Sequence, residues 1–202
     1  ISSDLDNTNV NITNLKSRIK NLNLLLENFS PILKQKKKQT LMAKFLVERA
    51  VQINQTRFNY HNIIFSSPLL SEELPDFKIT GPGNLLLSSI SNIIDNAIYW
   101  VSAQHEILGE AHKPAIYIGS DTTSFDGNAI IIADTGVGFT LEPEDMVQPF
   151  KTTKEGGMGM GLYFVNLVME TIGGKLLFPD MTDLDIPKVY NGACIVLVFP
   201  KF

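Results

Sequence analysis

Asp134-Thr135-Gly136-Val137-Gly138 stands directly after the apolar run at residues 129–133, and Thr152-Thr153-Lys154 precedes Gly156-Gly157-Met158-Gly159-Met160-Gly161. A carboxylate at a strand's exit can accept a hydrogen bond from an exocyclic amine such as that of adenine. Gly136 and Gly138 let the backbone approach a flat ring with no Cβ in the way. In the second stretch, closely spaced glycines expose successive backbone N–H groups, and a helix opening there adds about half a positive charge, so together they can cradle phosphates. Thr152, Thr153 and Lys154 bring hydroxyls and a cation just ahead of it. It is not a Walker loop, because no Gly-Lys-Ser/Thr closes it, nor a dinucleotide fingerprint, because the spacing differs and no strand immediately precedes it. Either stretch alone reads equally well as a turn or a flexible glycine loop. Their order and company point to ATP.

A third feature lies upstream. Asn92 and Asn96 are four residues apart in an apolar-periodic run at 85–101, so both project from one helix face. Isoleucines at 90, 93, 94 and 98 surround them, so that face borders a core. A buried amide left unsatisfied costs about 1–3 kcal/mol, and two in line imply a polar ligand or a hydrogen-bonded network.

The elements that hold these residues read as α/β. Runs at 115–119, 129–133 and 193–199 have strand length and β-branched content, and 162–172 reads as a helix closed by Gly173-Gly174. Residues 40–58 carry Leu41, Phe45, Val47, Ala50, Val51 and Ile53 at helical spacing, 63–65 and 77–79 are short strands, and 81–84 is a turn. The expected fold is a two-layer α/β sandwich with a mixed sheet backed by about three helices. Residues 179–191 lengthen the connection to the last strand, and no role for them is legible.

Ahead of this domain, Ile12, Leu15, Ile19, Leu22, Leu26, Phe29 and Leu33 repeat at the heptad spacing, which predicts a helix with a partner, ending or kinking at Pro31. The expected division is a helical dimerisation-type segment at 1–38 and a globular domain at 39–202. Charge divides similarly, with residues 1–60 at +6 against −4 for the chain. The run Lys34 to Lys38 has no interleaved aromatics, so it reads as a solvated helix end and no nucleic acid is expected. The single cysteine, Cys194, excludes an internal disulfide and reads as a small apolar residue of the last strand. No run approaches the roughly 20 apolar residues of a membrane span and no signal segment opens the chain, so a cytoplasmic location is expected. Starting at Ile1 within a helical pattern, the chain reads as a fragment of a larger protein.

Asn92-Ile93-Ile94-Asp95-Asn96-Ala97, Asp134 to Gly138, Pro149-Phe150-Lys151-Thr152-Thr153-Lys154 and Gly157-Met158-Gly159-Met160-Gly161-Leu162 resemble the asparagine, first glycine, phenylalanine and second glycine boxes of the GHKL superfamily. That superfamily comprises gyrase-type topoisomerases, MutL-type repair proteins, the large cytosolic heat-shock chaperone and histidine kinases. The histidine-kinase branch is most similar, because its lid runs straight into the Gly-x-Gly-x-Gly-Leu loop. Gly192-Ala193 resembles the third glycine box. The resemblance implies a Bergerat-type site for ATP and Mg²⁺. Asn96 would hold Mg²⁺, Asp134 would bond the adenine amine and Gly136 and Gly138 would lie against the ring. Residues 157–162 would cradle the phosphates, Phe150, Thr152, Thr153 and Lys154 would anchor the lid, and Ala193 would border the nucleotide. Asn92, Asn96 and Lys154 would serve catalysis. The 12–33 seam is similar in placement to a dimerisation helix, which implies a homodimer, and a response-regulator receiver domain is an implied partner.

Two departures shape the expected chemistry. Hydrolytic members carry Glu four residues before the Mg-binding Asn, where this chain has Asn92, which cannot take a proton from water at neutral pH. Transfer of the γ-phosphoryl group to a histidine outside these residues is therefore expected over hydrolysis. Tyr99 replaces the lysine that many kinases place beside the phosphates. His105-Glu106 superficially resembles an acceptor box but stands at the end of the helix that carries Asn92 and Asn96, where it cannot reach its own γ-phosphate in line, and His61 and His112 lack that context. A second reading, from another class, is an ATP switch whose lid closure controls dimerisation or partner binding without kinase activity.

Overall fold

A computed structural model describes residues 38–201; the heptad seam and Lys34 to Lys37 lie outside them. The elements are β1 (Gln39–Met42), α1 (Ala43–Tyr60), β2 (Ile64–Ser66), β3 (Lys78–Gly81), α2 (Gly83–Leu108), β4 (Ala115–Asp121), β5 (Asn128–Asp134), α3 (Pro143–Met146), α4 (Gly161–Ile172), β6 (Lys175–Leu177) and β7 (Cys194–Phe199). Five strands form a mixed sheet in the order β2-β4-β5-β7-β6, in which β2 and β4 are parallel and the other pairs antiparallel. Helices α2 and α4 pack on this sheet, and α1 packs on α2. The expected α/β sandwich is therefore present, with three long helices among the described residues.

Alternation along the central strands explains both faces of the sheet. Ile116, Ile118, Ile130, Ile132, Ile195 and Leu197 are buried in the period of two that points every other side chain one way. The opposite face carries smaller residues, among them Ala115, Ala129, Ala133, Cys194 and Val196. Its cover is the connection between β6 and β7. Met181, Leu184, Ile186 and Tyr190 pack against that face, with Tyr190 beside Tyr117 at a ring separation of 5.3 Å. Residues 179–191 thus close the second side of the sheet as an apolar strap. Tyr190→Ala is expected to destabilise the domain by about 3 kcal/mol, measured as a lower urea midpoint. An unchanged midpoint would show that the strap is not part of the folded core.

Several boundaries differ from the sequence reading. Residues 39–42 are a strand, not the first turn of a helix, because they pair antiparallel with β3, placing Thr40 opposite Thr80 with hydroxyl oxygens 3.0 Å apart. Long-range pairing overrides local helical periodicity here. The 81–84 turn is shorter than expected, since Pro82 caps α2 and Gly83 is already helical. Helix α2 also runs on to Leu108, where Gly109 ends it at φ 60°. Strands β2 and β3 each begin one residue later than their apolar runs, and α3 and β6 are too short to carry a periodic signal. At the end of α4, Gly173 takes φ 76° and the Gly174 N–H reaches back to the Met169 carbonyl, so the expected glycine stop is made.

Candidate nucleotide site

Asp134 ends β5, where its burial must be compensated. Gly136 N–H and Ala193 N–H both donate to its Oδ1, at 2.8 and 3.0 Å, leaving Oδ2 for the cleft that Asp134 lines. The loop before β7 is locked to the same residue through its backbone, because Gly192 N–H donates to the Asp134 carbonyl at 2.9 Å and Asp134 N–H donates to that of Ala193 at 3.0 Å. Burial pushes the carboxyl up to about 6, against the two amide donors that favour its charge. Behind it, Thr135 Oγ1 accepts from Ala115 N–H at 2.9 Å, and His112 Nε2 donates to the Thr135 carbonyl at 2.6 Å.

The cleft has a volume of about 350 Å³ and an apolar floor from Ile132 and Ile195. One wall is a stripe of α2 at four-residue spacing, Asn92, Asn96 and Trp100. Opposite stand Thr152, Thr153, Lys154 and the Gly156 to Leu162 stretch, which leads into α4. No side chain caps α4, whose first residue faces the asparagines: a Cβ built on Gly161 would lie 3.8 Å from Asn92 Oδ1 and 3.9 Å from Asn96 Nδ2. A strip one side chain wide therefore runs between two carboxamides and a helix N-terminus. That is a fit for phosphate oxygens. The carboxylate at one end and the amide-lined strip at the other suit an amine-bearing ring joined to a polyphosphate.

Most residues expected at the site line this cleft, including Gly138, Met158, Gly159, Met160 and Ala193. Tyr99, Gly136 and Phe150 do not. Gly136 packs instead against α2, where a Cβ would come within 3.0 Å of Trp100, and its N–H serves Asp134. Phe150 is 54% exposed and fixes the lid through its backbone, at φ 64° with its N–H on the Gly159 carbonyl at 2.9 Å. Gly159, at φ 65°, would put a Cβ 2.6 Å from the Phe150 carbonyl carbon, so only glycine closes this pairing. Tyr99 sits outside the lining, against Lys154 and Glu155. Trp100, Met146 and the run Phe139 to Leu141 line the cleft but went unread in the sequence, and Asp95 was read only as part of the asparagine box. Continuing the Asn92, Asn96 spacing by four residues reaches Trp100.

The model of the histidine kinase-, DNA gyrase B- and HSP90-like ATPase family matches residues 82–201. The chain belongs to that family. The C4-dicarboxylate transport sensor protein DctB of Rhizobium meliloti is 26% identical to this ATPase domain over 136 residues, 66% of this chain and 20% of DctB. The CAI-1 autoinducer sensor kinase/phosphatase CqsS of Vibrio cholerae is 29% identical over 133 residues, 65% of this chain and 17% of CqsS. The chain thus spans about a fifth of the length of these relatives. Its fold is that of the catalytic domain of histidine kinase ThkA, with a TM-score of 0.63 at 18% identity, covering 82% of this chain and 97% of that one. Among the described residues no helix of this ATPase domain is long and apolar enough to cross a membrane.

Proposed function

We propose that this domain binds ATP with Mg²⁺ and passes the γ-phosphoryl group to a histidine outside residues 1–202, as the catalytic part of a two-component sensor kinase in the cytoplasm. The observation that carries this reading is the pairing of Asp134 Oδ2 at one end of the cleft with the strip between Asn92, Asn96 and Gly161 at the other. Asp134 accepts from the adenine amine while Trp100 offers a flat apolar ring beside it. The first turn of α4 and Lys154 would hold the phosphates, and Asn96 would offer its side-chain oxygen to Mg²⁺. When bound, the ion spreads charge off the phosphates during transfer.

Transfer is favoured over hydrolysis by one position in the cleft, whose two carboxylates are already engaged, Asp95 by Arg57 and Lys154 and Asp134 by two amides. The described lining holds Asn92 where a water-activating base is needed, and positioning alone serves a protein acceptor better than water. An acceptor elsewhere is supported by the histidines themselves. His105 Nδ1 is 3.0 Å from the His112 carbonyl, His112 holds Thr135, and His61 caps α1, so none lines the cleft. A dimer through the 1–38 segment and a receiver-domain partner complete the proposal.

Calorimetric titration tests the site. Asn96→Ala is expected to weaken Mg-ATP binding about tenfold and to leave Mg-free ATP binding as it was. Equal losses with and without Mg²⁺ would remove Asn96 from the metal. For the transfer step, the intact parent incubated with labelled ATP should acquire an acid-labile, alkali-stable phosphate. ATP-driven association of a parent that never acquires one would instead establish a switch.

A further inference from the structure

Lys154 is not free to point at phosphate. Its Nζ lies 2.9 Å from Asp95 Oδ2 and 4.5 Å from the centre of the Tyr99 ring. The next residue is held by the same tyrosine, since Glu155 N–H donates to Tyr99 Oη at 3.1 Å. Asp95 and Tyr99 are four residues apart, on one face of α2, so together they form a two-point seat for the lid. Asp95 has a second cation. Its other oxygen, Oδ1, is paired with Arg57 of α1. Burial pushes the Asp95 carboxyl up, but Lys154 and Arg57 outweigh it and hold the group below the ordinary carboxylate value.

The separate use of the two oxygens makes the seat reversible. If Lys154 leaves Oδ2, Asp95 keeps Arg57 and is never stranded as an unpaired charge. Asp95 also lines the same cleft as Asn96 and Thr153, so phosphate oxygens there compete with it for one ammonium group. Beyond the seat, Gly156 has φ 68° and nothing within 4 Å of its Cβ position, so the chain can turn there without meeting a neighbour.

We infer that Asp95 and Tyr99 are positioning residues which hold Lys154 off the nucleotide, and that the γ-phosphate, by drawing Lys154 away from them, makes the lid discriminate ATP from ADP. This rests on the ATP reading of the cleft and adds its regulation. The seat must be lost for Lys154 to gain a phosphate, so weakening it favours the nucleotide that recruits the lysine. A half-buried ion pair and a cation–π contact of this kind together hold back binding by about three- to tenfold.

Hydrogen exchange of residues 150–160 without nucleotide, and calorimetric affinities for Mg-ATP and Mg-ADP, test it in the wild type, Asp95→Asn and Tyr99→Phe. Both variants should exchange faster in the lid. Asp95→Asn should bind ATP about three- to tenfold tighter with a smaller gain for ADP. Tyr99→Phe changes no charge, so a gain in its ATP-to-ADP ratio isolates the seat from simple relief of repulsion by Asp95. In a Lys154→Ala background Asp95→Asn should lose its selective effect on ATP. Lid exchange and nucleotide ratios that stay at wild-type values in both variants would overturn the seat, as would a gain that persists without Lys154. If the folded wild type binds neither nucleotide, the ATP reading fails, and the exchange arm alone then decides whether Asp95 and Tyr99 hold the lid.

Discussion

Asp134→Asn is expected to weaken nucleotide binding about 100-fold and, in the same protein, to stabilise the fold. Two amide donors converge on Oδ1, from Gly136 and Ala193. An asparagine must keep its oxygen there, since the alternative sets its NH₂ against two N–H groups. Its NH₂ then faces the cleft, donor against the donor amine of adenine, and affinity falls about 100-fold, the scale of an unpaired polar contact. Stability moves the other way. The carboxyl rises from 3.8 to about 6 on folding, so the folded chain binds the proton more tightly than the unfolded one. Between those values folding takes up a proton and stability falls as pH rises; above about 6 the full penalty stands. At neutral pH that is about 1–3 kcal/mol, which the neutral amide recovers. Urea melts and calorimetry on one pair of proteins check both halves. A less stable Asp134→Asn, or one that binds ATP normally, would refute the assignment.

The same proton links binding to pH. Adenine needs the ionised acceptor, so affinity should fall about tenfold from pH 7 to pH 5 in the wild type and stay flat in Asp134→Asn. Adenosine is the cleaner probe, because a terminal phosphate itself titrates near pH 6.

What could be read in advance follows from how local each signal is. Asn92, Asn96 and Asp134 announced themselves because one helix turn and one strand exit set their directions, and those elements stand where the periodicity puts them. The strap was illegible because Met181, Leu184, Ile186 and Tyr190 follow no period; their common face exists only once β4, β5 and β7 are paired. Strand β1 was misread for the same reason, since β3 is its only claim to be a strand. The seat of Lys154 escaped too. It joins Arg57, Asp95 and Lys154, three separated segments whose charges carry no mutual spacing in the chain.

Gly192 offers the second large effect. A Cβ there would lie 2.4 Å from the Gly136 nitrogen, 2.5 Å from Asp134 Oδ1 and 2.6 Å from the Gly136 oxygen. Two of those atoms are backbone and the third is the anchored carboxylate oxygen, so nothing can yield cheaply. Gly192→Ala must push the loop before β7 away from β5, breaking the bonds from Gly192 N–H and Ala193 N–H to Asp134. The expected loss is about 2–4 kcal/mol of stability, from overpacking plus the stranded carboxylate. Adenine recognition should drop at least about tenfold as Asp134 loses its anchor, while tripolyphosphate, held at the other end, binds as before. Gly156→Ala is the control. With φ 68° and open space around its Cβ position it meets only left-handed strain, about 1 kcal/mol. Equal effects from the two substitutions would mean that the loop before β7 yields readily to a Cβ at 192; a far larger loss at 192, confined to the adenine end, means that glycine matters there for the approach of one backbone to another.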